Sequence, residues 1–207
     1  MNDYQQRKWI NSRDAIAIGM FSVLSFLIET TLGLVIYIFS SVPLVGGLAS
    51  GFFDAILIFL AIFLVPRRGA ALLFATLLLA LSTVTPSFGP PGIYKLSIGI
   101  GLGIVLEGML FLFGRSKPSY IIATATAFAL SIPATFFAWL FFDIPGSIEL
   151  RKILPILTAI YFVIGAIGAM VGAYIIYDKR LCKHNVILCL RAGKSEAETM
   201  QEDKSSF

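Results

Sequence analysis

The chain has 207 residues, of which 57% are hydrophobic and only 14% are charged, and its formal net charge is +4. An average soluble domain carries about 25% charged residues, so the composition excludes an ordinary water-soluble domain. The excess of basic residues does not indicate a nucleic-acid-binding protein, because these residues lie in short segments between long apolar runs. We therefore expect a multi-pass protein of the lipid bilayer with no nucleic-acid partner.

Six apolar runs follow one another along the chain, separated by short polar or Pro/Gly-rich segments. A helix needs about 20 residues to cross roughly 30 Å of hydrocarbon, and only the third run is short for this. Continuous apolarity favours helices over the alternating strands of a barrel. The fold class is therefore predicted to be all-α, with six transmembrane helices. The predicted spans are 15–39, 43–65, 70–85, 93–114, 120–142 and 153–177.

The distribution of lysine and arginine predicts the orientation of the chain. With a cytoplasmic N-terminus, 13 of the 16 basic residues lie on the cytoplasmic side, and the three outside are Lys95, Arg151 and Lys152. The positive-inside rule thus predicts that both termini are cytoplasmic. The expected location of the protein is the cell membrane. The expected parts are a cytoplasmic N-terminal segment, a transmembrane domain and a cytoplasmic tail, at 1–14, 15–178 and 179–207.

Four ionisable side chains lie inside the apolar runs, where a charge at the bilayer centre costs roughly 2.5–3.5 kcal/mol. Counting along each helix places Asp54 near the midplane and Glu29 in the outer half. Lys95 lies near the outer surface, where its ammonium group is expected to extend to the headgroups. These three residues are predicted to line an outward-opening ligand cavity, and the alternative is that they only pair with one another. Glu107 lies in the inner half, and a structural or partner-contact role is expected for it.

Aromatic residues make up 13% of the chain and gather near the predicted outer boundary. Most of them fit an interfacial aromatic belt. Tyr94 and Trp139 are the best candidates for stacking on a flat ring of a substrate, because both lie next to loops. The Gly-Pro-Pro-Gly turn at 89–92 and the loop at 143–152 are the predicted lids.

Small residues recur at spacings that allow membrane helices to approach closely. Close backbone approach is expected at all of these glycines, which are Gly47, Gly51, Gly99, Gly101, Gly103, Gly165, Gly168 and Gly172.

The sequence contains no recognised catalytic motif or metal site. Cys182 and His184 lie close together in the predicted tail, but a structural zinc site needs four ligands. The Gly-Lys-Ser stretch at 193–195 lacks the earlier glycine of a phosphate-binding loop, so no ATP hydrolysis is expected from this chain. No catalytic residue, metal ion or cofactor is predicted, and the chain is not expected to be an enzyme.

Taken together, six helices with short loops, cytoplasmic termini and no ATPase motif resemble the substrate-binding S components of energy-coupling-factor vitamin transporters. In the first helix, Ala15 and Gly19 match the four-residue spacing of small residues with which that family contacts its coupling subunit, whereas Val23 departs from it. The resemblance implies capture of a small vitamin or vitamin precursor containing a ring. It also implies a transmembrane coupling protein and ATP-binding subunits as partners. A narrower similarity, around 89–92 and the fourth span, is to members that handle thiamine or its pyrimidine precursor.

Three other classes of function stay open. One is a stand-alone carrier that uses Asp54 and Glu29 to couple transport to protons or sodium. Another is a membrane scaffold in which the buried charges only pair structurally. An integral-membrane enzyme is the least favoured, because no catalytic constellation is present.

Overall fold

A computed structural model describes residues 10–40, 43–85, 91–114, 116–143 and 147–177. Within these ranges the chain forms six α-helices and no β-strand, which confirms the predicted all-α fold class for this part. A 3-10 turn, Ser82–Val84, follows the third helix. The helices are α1 (Ser12–Ser40), α2 (Pro43–Leu64), α3 (Ala70–Leu81), α4 (Tyr94–Leu112), α5 (Lys117–Phe141) and α6 (Ser147–Tyr177).

Four helices in the described ranges are long and apolar enough to cross a membrane, and the chain is accordingly a multi-pass membrane protein. These segments are Ser12–Gly33, Tyr94–Leu112, Pro118–Phe141 and Arg151–Ile176. Two further apolar segments, Ser50–Leu64 and Ala70–Val84, are shorter. With 12 residues, α3 is about 18 Å long, well below the thickness of the hydrocarbon. The count of six spans and the orientation of the termini stay predictions.

Three helices begin before the apolar runs that predict them, α1 and α5 by three residues each and α6 by six. Helix α6 begins at Ser147, so the predicted loop at 143–152 is wrong over 147–152. Arg151 and Lys152 therefore lie inside the helix. At the start of α1, Asn11 Oδ1 accepts a hydrogen bond from the backbone N–H of Asp14 at 2.9 Å. Such a cap allows a helix to begin before its apolar part.

The first helix has its polar side chains inside and its apolar side chains outside. This pattern is the reverse of a helix on a water-soluble protein and fits a helix surrounded by lipid. Its buried face carries Ile18, Ser22, Ser25 and Glu29, all at most 1% exposed. The outer face carries apolar side chains exposed by 46–70%, including Ile16, Met20, Val23 and Leu27.

Glycines bring several helices close together, as predicted for most of these positions. A Cβ atom at Gly103 of α4 would lie 2.6 Å from the Cα atom of Leu72 in α3. A Cβ atom at Gly168 of α6 would lie 2.6 Å from the Cβ atom of Ala55 in α2. The prediction is wrong at Gly101, where a Cβ atom would meet nothing within 4 Å. Gly47 lies outside the residues whose surroundings are described.

The N-terminus of α3 is capped from another helix. Gly69 precedes α3 in the left-handed conformation, with φ of 88°, and no side chain of the local segment caps the helix. Instead, a carboxylate oxygen of Glu107 in α4 accepts a hydrogen bond from the backbone N–H of Ala71 at 3.0 Å. A negative charge at this end of a helix also interacts favourably with the helix dipole. In the same connection, Arg67 pairs with Asp14, with 2.7 Å between Nε and Oδ2.

Two helices contain a proline in their interior, Pro133 in α5 and Pro155 in α6. Proline has no backbone N–H, so the carbonyl oxygen four residues earlier loses its helical hydrogen bond. In α5 this is the carbonyl group of Ala129.

The chain divides into two compact units, Met1–Gly172 and Ala173–Phe207. The first contains α1 to α5 and most of α6, and in the second the structure describes only 173–177, which are helical. Most of the predicted N-terminal segment and all of the predicted tail, including Cys182 and His184, lie outside the described residues. The division at 1–14, 15–178 and 179–207 therefore stays a prediction.

Candidate functional site

Three ionisable side chains from three helices are buried in the bundle. Glu29 of α1, Asp54 of α2 and Lys95 of α4 are exposed by 1%, 2% and 0%, respectively. Glu29 interacts electrostatically with both of the others. Because the side chain of Lys95 is fully buried, the expectation that its ammonium group extends to the outer surface is wrong. We call these three residues the charged cluster.

The ammonium group of Lys95 binds the backbone where the third helix ends. Its Nζ donates hydrogen bonds to the carbonyl oxygens of Ser82 and Thr85, at 3.1 and 2.7 Å. Carbonyl groups at a helix end lack partners within the helix, and in a membrane protein they must find donors elsewhere. The hydroxyl group of Ser82 donates to Oε2 of Glu29 at 3.0 Å. Ser82 therefore links the lysine and the glutamate of the charged cluster.

The carboxylate of Asp54 is only half satisfied. Its Oδ1 accepts a hydrogen bond from the hydroxyl group of Ser25, one turn before Glu29 on α1. Its Oδ2 is buried and accepts no hydrogen bond from any described residue. The phenol of Tyr161 in α6, 2% exposed, lies within electrostatic range of Asp54 and Glu29. A buried carboxylate oxygen without a donor is costly, and it marks Asp54 as a group able to bind something further.

Asp54 and Lys95 both border a cavity of about 60 Å³. A water molecule needs roughly 10–15 Å³ measured in this way, so the cavity has room for a few waters or a small polar group. Most of the lining is apolar, and Glu29 does not belong to it, so the prediction that Glu29 lines the cavity is wrong. The lining residues are Asp54, Ile58, Phe74, Ala75, Leu78, Leu79, Lys95, Ile98, Leu102, Leu106, Ala127, Phe128, Ser131 and Thr135.

The two hydroxyl groups in the cavity lining use their protons within their own helix. Ser131 Oγ donates to the carbonyl oxygen of Phe128 at 2.6 Å, and Thr135 Oγ1 donates to the carbonyl oxygen of Ser131 at 2.7 Å. A hydroxyl group has one proton and two lone pairs, so these oxygens are left as acceptors. The polar part of the cavity therefore favours a ligand that donates hydrogen bonds.

The two predicted stacking residues lie together beside the cavity, but neither ring lines it. Tyr94 is 3% exposed and packs with Leu79 and Ile98, which both belong to the lining. Trp139 packs against that group and also against a second apolar group that contains Tyr161. Of the predicted lids, 89–90 and 144–146 lie outside the described residues, so lid closure stays a prediction.

The two predicted partner-contact residues lie on a face of α1 that the rest of the described chain leaves open. A Cβ atom at Gly19 would meet nothing within 4 Å, and Ala15 is partly exposed. On either side, Ile16 and Met20 are exposed by 65% and 70%. Contact with a partner at this face stays a prediction.

Sequence reasoning missed the side chains that join the charged cluster to its surroundings. Ser25 had a readable signal, because Ser22, Ser25 and Glu29 are polar residues on one face of an otherwise apolar helix. Ser82 and Tyr161 had none, since no pattern in their own segments shows which helix lies opposite. Within the described residues, no group of three or more His, Cys, Asp or Glu side chains is placed to hold a metal ion.

Comparison with protein-family models, with curated proteins and with solved structures finds no match for this chain. A half-satisfied carboxylate and two acceptor hydroxyl groups, next to a small apolar cavity, form a place where a small polar group of a solute can bind.

Proposed function

We propose that this chain is the membrane-embedded substrate-capture subunit of an ATP-driven importer of a vitamin or vitamin precursor, with the ATPase supplied by partner proteins. The charged cluster next to a cavity, inside a bundle with an apolar outer surface, is the observation that supports this best. Burying three charges costs several kcal/mol even when they are paired. Solute binding explains the position of Asp54 better than pairing alone does, because none of the described residues donates a hydrogen bond to its buried Oδ2.

The cavity is smaller than a pocket that holds a whole vitamin. Pockets that hold cofactor-sized molecules usually measure about 300–1,000 Å³, whereas this cavity measures about 60 Å³. We infer that the present cavity takes a small polar group of the substrate and that the bundle widens to accept its ring. Leu79 and Ile98 line the cavity and belong to the same apolar group as Tyr94, so widening on that side brings an aromatic ring towards the solute.

The open face of α1 supports the need for a partner. Small residues at a membrane-helix surface allow a second helix to approach closely, without any hydrophobic driving force. In this proposal Ala15 and Gly19 contact a transmembrane coupling protein in the cell membrane, and ATP-binding subunits attached to that protein provide the energy. Both termini of the chain then lie in the cytoplasm.

Replacing Gly19 with leucine is expected to prevent this assembly, because the larger side chain occupies the space that a partner helix needs. The amount of coupling protein and ATPase that co-purifies with the tagged chain should fall about tenfold, which corresponds to roughly 1.4 kcal/mol. Gly108→Leu is the matched control, since Gly108 on α4 also has nothing within 4 Å of a Cβ atom. Loss of solute binding with an intact complex would contradict the assignment.

In proteoliposomes, the purified chain on its own is expected to bind a solute but not to accumulate it. The measurement is uptake of a radiolabelled vitamin, beginning with thiamine, with and without a pH or sodium gradient.

Asp54→Asn and Glu29→Gln should each weaken retention of the small molecule that co-purifies with the chain. Unchanged retention in both variants would show that the charged cluster is not the site.

A second candidate, a stand-alone carrier coupled to protons or sodium, is favoured by one observation. No described residue donates a hydrogen bond to Asp54 Oδ2, and Asp54 lines a cavity small enough for an ion. Gradient-driven accumulation by the chain alone would establish this function in place of the first.

A further inference from the structure

A groove between α4 and α5 opens on the surface of the bundle. Its volume is about 540 Å³, within the usual range of about 300–1,000 Å³ for pockets that hold cofactor-sized molecules. It lies at one end of the bundle, because the first turns of α4 and the last turns of α5 form it. We call it the α4–α5 groove. Its lining residues are Ser97, Ile98, Gly101, Ala134, Phe137, Ala138, Leu140, Phe141 and Phe142.

The lining of the α4–α5 groove suits an apolar ring. Four lining residues are small, and a Cβ atom at one of them, Gly101, would meet nothing within 4 Å. Three others are phenylalanines, and the rings of Phe141 and Phe142 meet edge to face, with centroids 5.3 Å apart. Phe141 is 84% exposed, so its ring is available to a ligand, and aromatic rings prefer such edge-to-face or offset contacts.

The α4–α5 groove adjoins the cavity at Asp54. Ile98, which is 7% exposed, lines both spaces. On α5, Thr135 lines the cavity, whereas its neighbour Ala134 lines the groove. An engineered cavity that binds benzene measures about 150 Å³, so the cavity at Asp54, of about 60 Å³, is too small for a ring. The groove is large enough for one.

We propose that the α4–α5 groove binds an apolar ring of the solute, and that a small polar group on this ring passes Ile98 to reach Asp54. The inference rests on the proposed function, since it takes the cavity as the solute site, and it adds the class of the solute and its side of entry. The polar group is one that donates hydrogen bonds, because Asp54 Oδ2 accepts none from the described residues. Displacement of Ile98 is then the widening that joins the two spaces.

The test uses the fluorescence of Trp139, which packs against the apolar group that contains Ile98 and Ala138. The full chain is placed in lipid nanodiscs, with the other tryptophan, Trp9, replaced by phenylalanine. The probe is 4-bromobenzamide, a ring with a small amide group, and its bromine quenches a neighbouring tryptophan. Saturable quenching is expected, and its absence would overturn the proposal.

Substitutions in the α4–α5 groove show whether the probe binds there. Gly101→Leu fills the groove and should weaken probe binding about tenfold, whereas Gly108→Leu, at an equally open position of α4, should not. Phe141→Ala should weaken binding about fivefold, since it removes an aromatic contact. Phe111→Ala is its control, at a ring that is 76% exposed but does not line the groove. Unchanged binding in both groove variants would overturn the proposal.

Bromobenzene, which lacks the amide group, tests whether the polar group reaches Asp54. After correction for partitioning into protein-free nanodiscs, 4-bromobenzamide should bind about fivefold more tightly than bromobenzene, the usual value of one hydrogen bond. Asp54→Ala should remove this difference. A difference that persists in Asp54→Ala would overturn the passage of the polar group past Ile98.

The competing occupant of the α4–α5 groove is a lipid acyl chain, and dibrominated phosphatidylcholine tests it. Quenching of Trp139 by this lipid that unbrominated benzamide relieves would support the proposal. Quenching that benzamide leaves unchanged would show that an acyl chain fills the groove and would overturn it. These readouts need no partner protein, so probe binding in the groove without ATP-driven uptake would reject the importer and retain the groove as a ligand site.

Discussion

Replacing Lys95 with methionine is expected to lower the free energy of unfolding by about 3–5 kcal/mol, the usual cost of removing one partner from a buried ion pair. Methionine keeps the length and apolar stem of the lysine but carries no charge. The variant removes the positive charge that interacts with Glu29, and the carbonyl oxygens of Ser82 and Thr85 lose a donor. The measurement is an equilibrium SDS titration of the full chain in mixed micelles, followed by circular dichroism.

A second substitution separates electrostatics from packing in this experiment. Combining Lys95→Met with Glu29→Gln also removes the negative charge with which Lys95 interacts, and it should recover part of the lost stability. Lys152→Met is the matched control on α6, where the side chain is exposed, and a change within about 0.5 kcal/mol is expected. An equal loss for Lys95→Met and Lys152→Met would show that the buried cluster contributes nothing specific.

Replacing Gly103 with alanine is expected to cost about 1–3 kcal/mol, as overpacking of a close contact usually does. A Cβ atom at this position would lie 2.6 Å from the Cα atom of Leu72 and 3.1 Å from its carbonyl oxygen. Backbone atoms cannot rotate away as a side chain does, so α3 and α4 must separate. The same SDS titration measures the loss of unfolding free energy. A shift of α3 also moves Phe74 and Ala75, which line the cavity.

Gly101→Ala is the control for this prediction on the same helix. A Cβ atom at Gly101 meets nothing within 4 Å, so alanine should leave stability unchanged or raise it by up to about 1 kcal/mol through its better helix propensity. Equal destabilisation by the two substitutions would show that flexibility of α4, rather than its contact with α3, determines the effect.

The helices could be predicted from the sequence because a run of apolar residues is sufficient to indicate a membrane helix. Their ends could not, since caps such as Asn11 and early helical turns such as 147–152 lie outside the apolar runs. The glycine at 101 shows a related limit. Gly99 and Gly103 are four residues apart and share a helix face, whereas Gly101 lies two residues from each and faces away from them. The prediction at Gly101 failed because it counted small residues without this periodicity.

The candidate site was predictable to the extent that charges in apolar runs are conspicuous. Glu29, Asp54 and Lys95 were identified in this way, and their role in binding a substrate stays a prediction. The surroundings of Lys95 were not predictable, because its depth on α4 suggested an outward-pointing side chain. In the structure, two backbone carbonyl groups after the end of α3 accept hydrogen bonds from the ammonium group of Lys95. The sequence of neither segment indicates that the two segments lie next to each other in the fold.

The interior proline of α5 provides a point at which this helix can bend, and in the proposed importer the bend admits the solute. Pro133 lies between Ser131 and Thr135, which both line the cavity, and it deprives Ala129 of a helical hydrogen bond. Helices kink most readily at such positions. Helix α5 can therefore bend beside the cavity. In the proposed importer, such a bend widens the cavity for a larger substrate while the other helices keep their contacts.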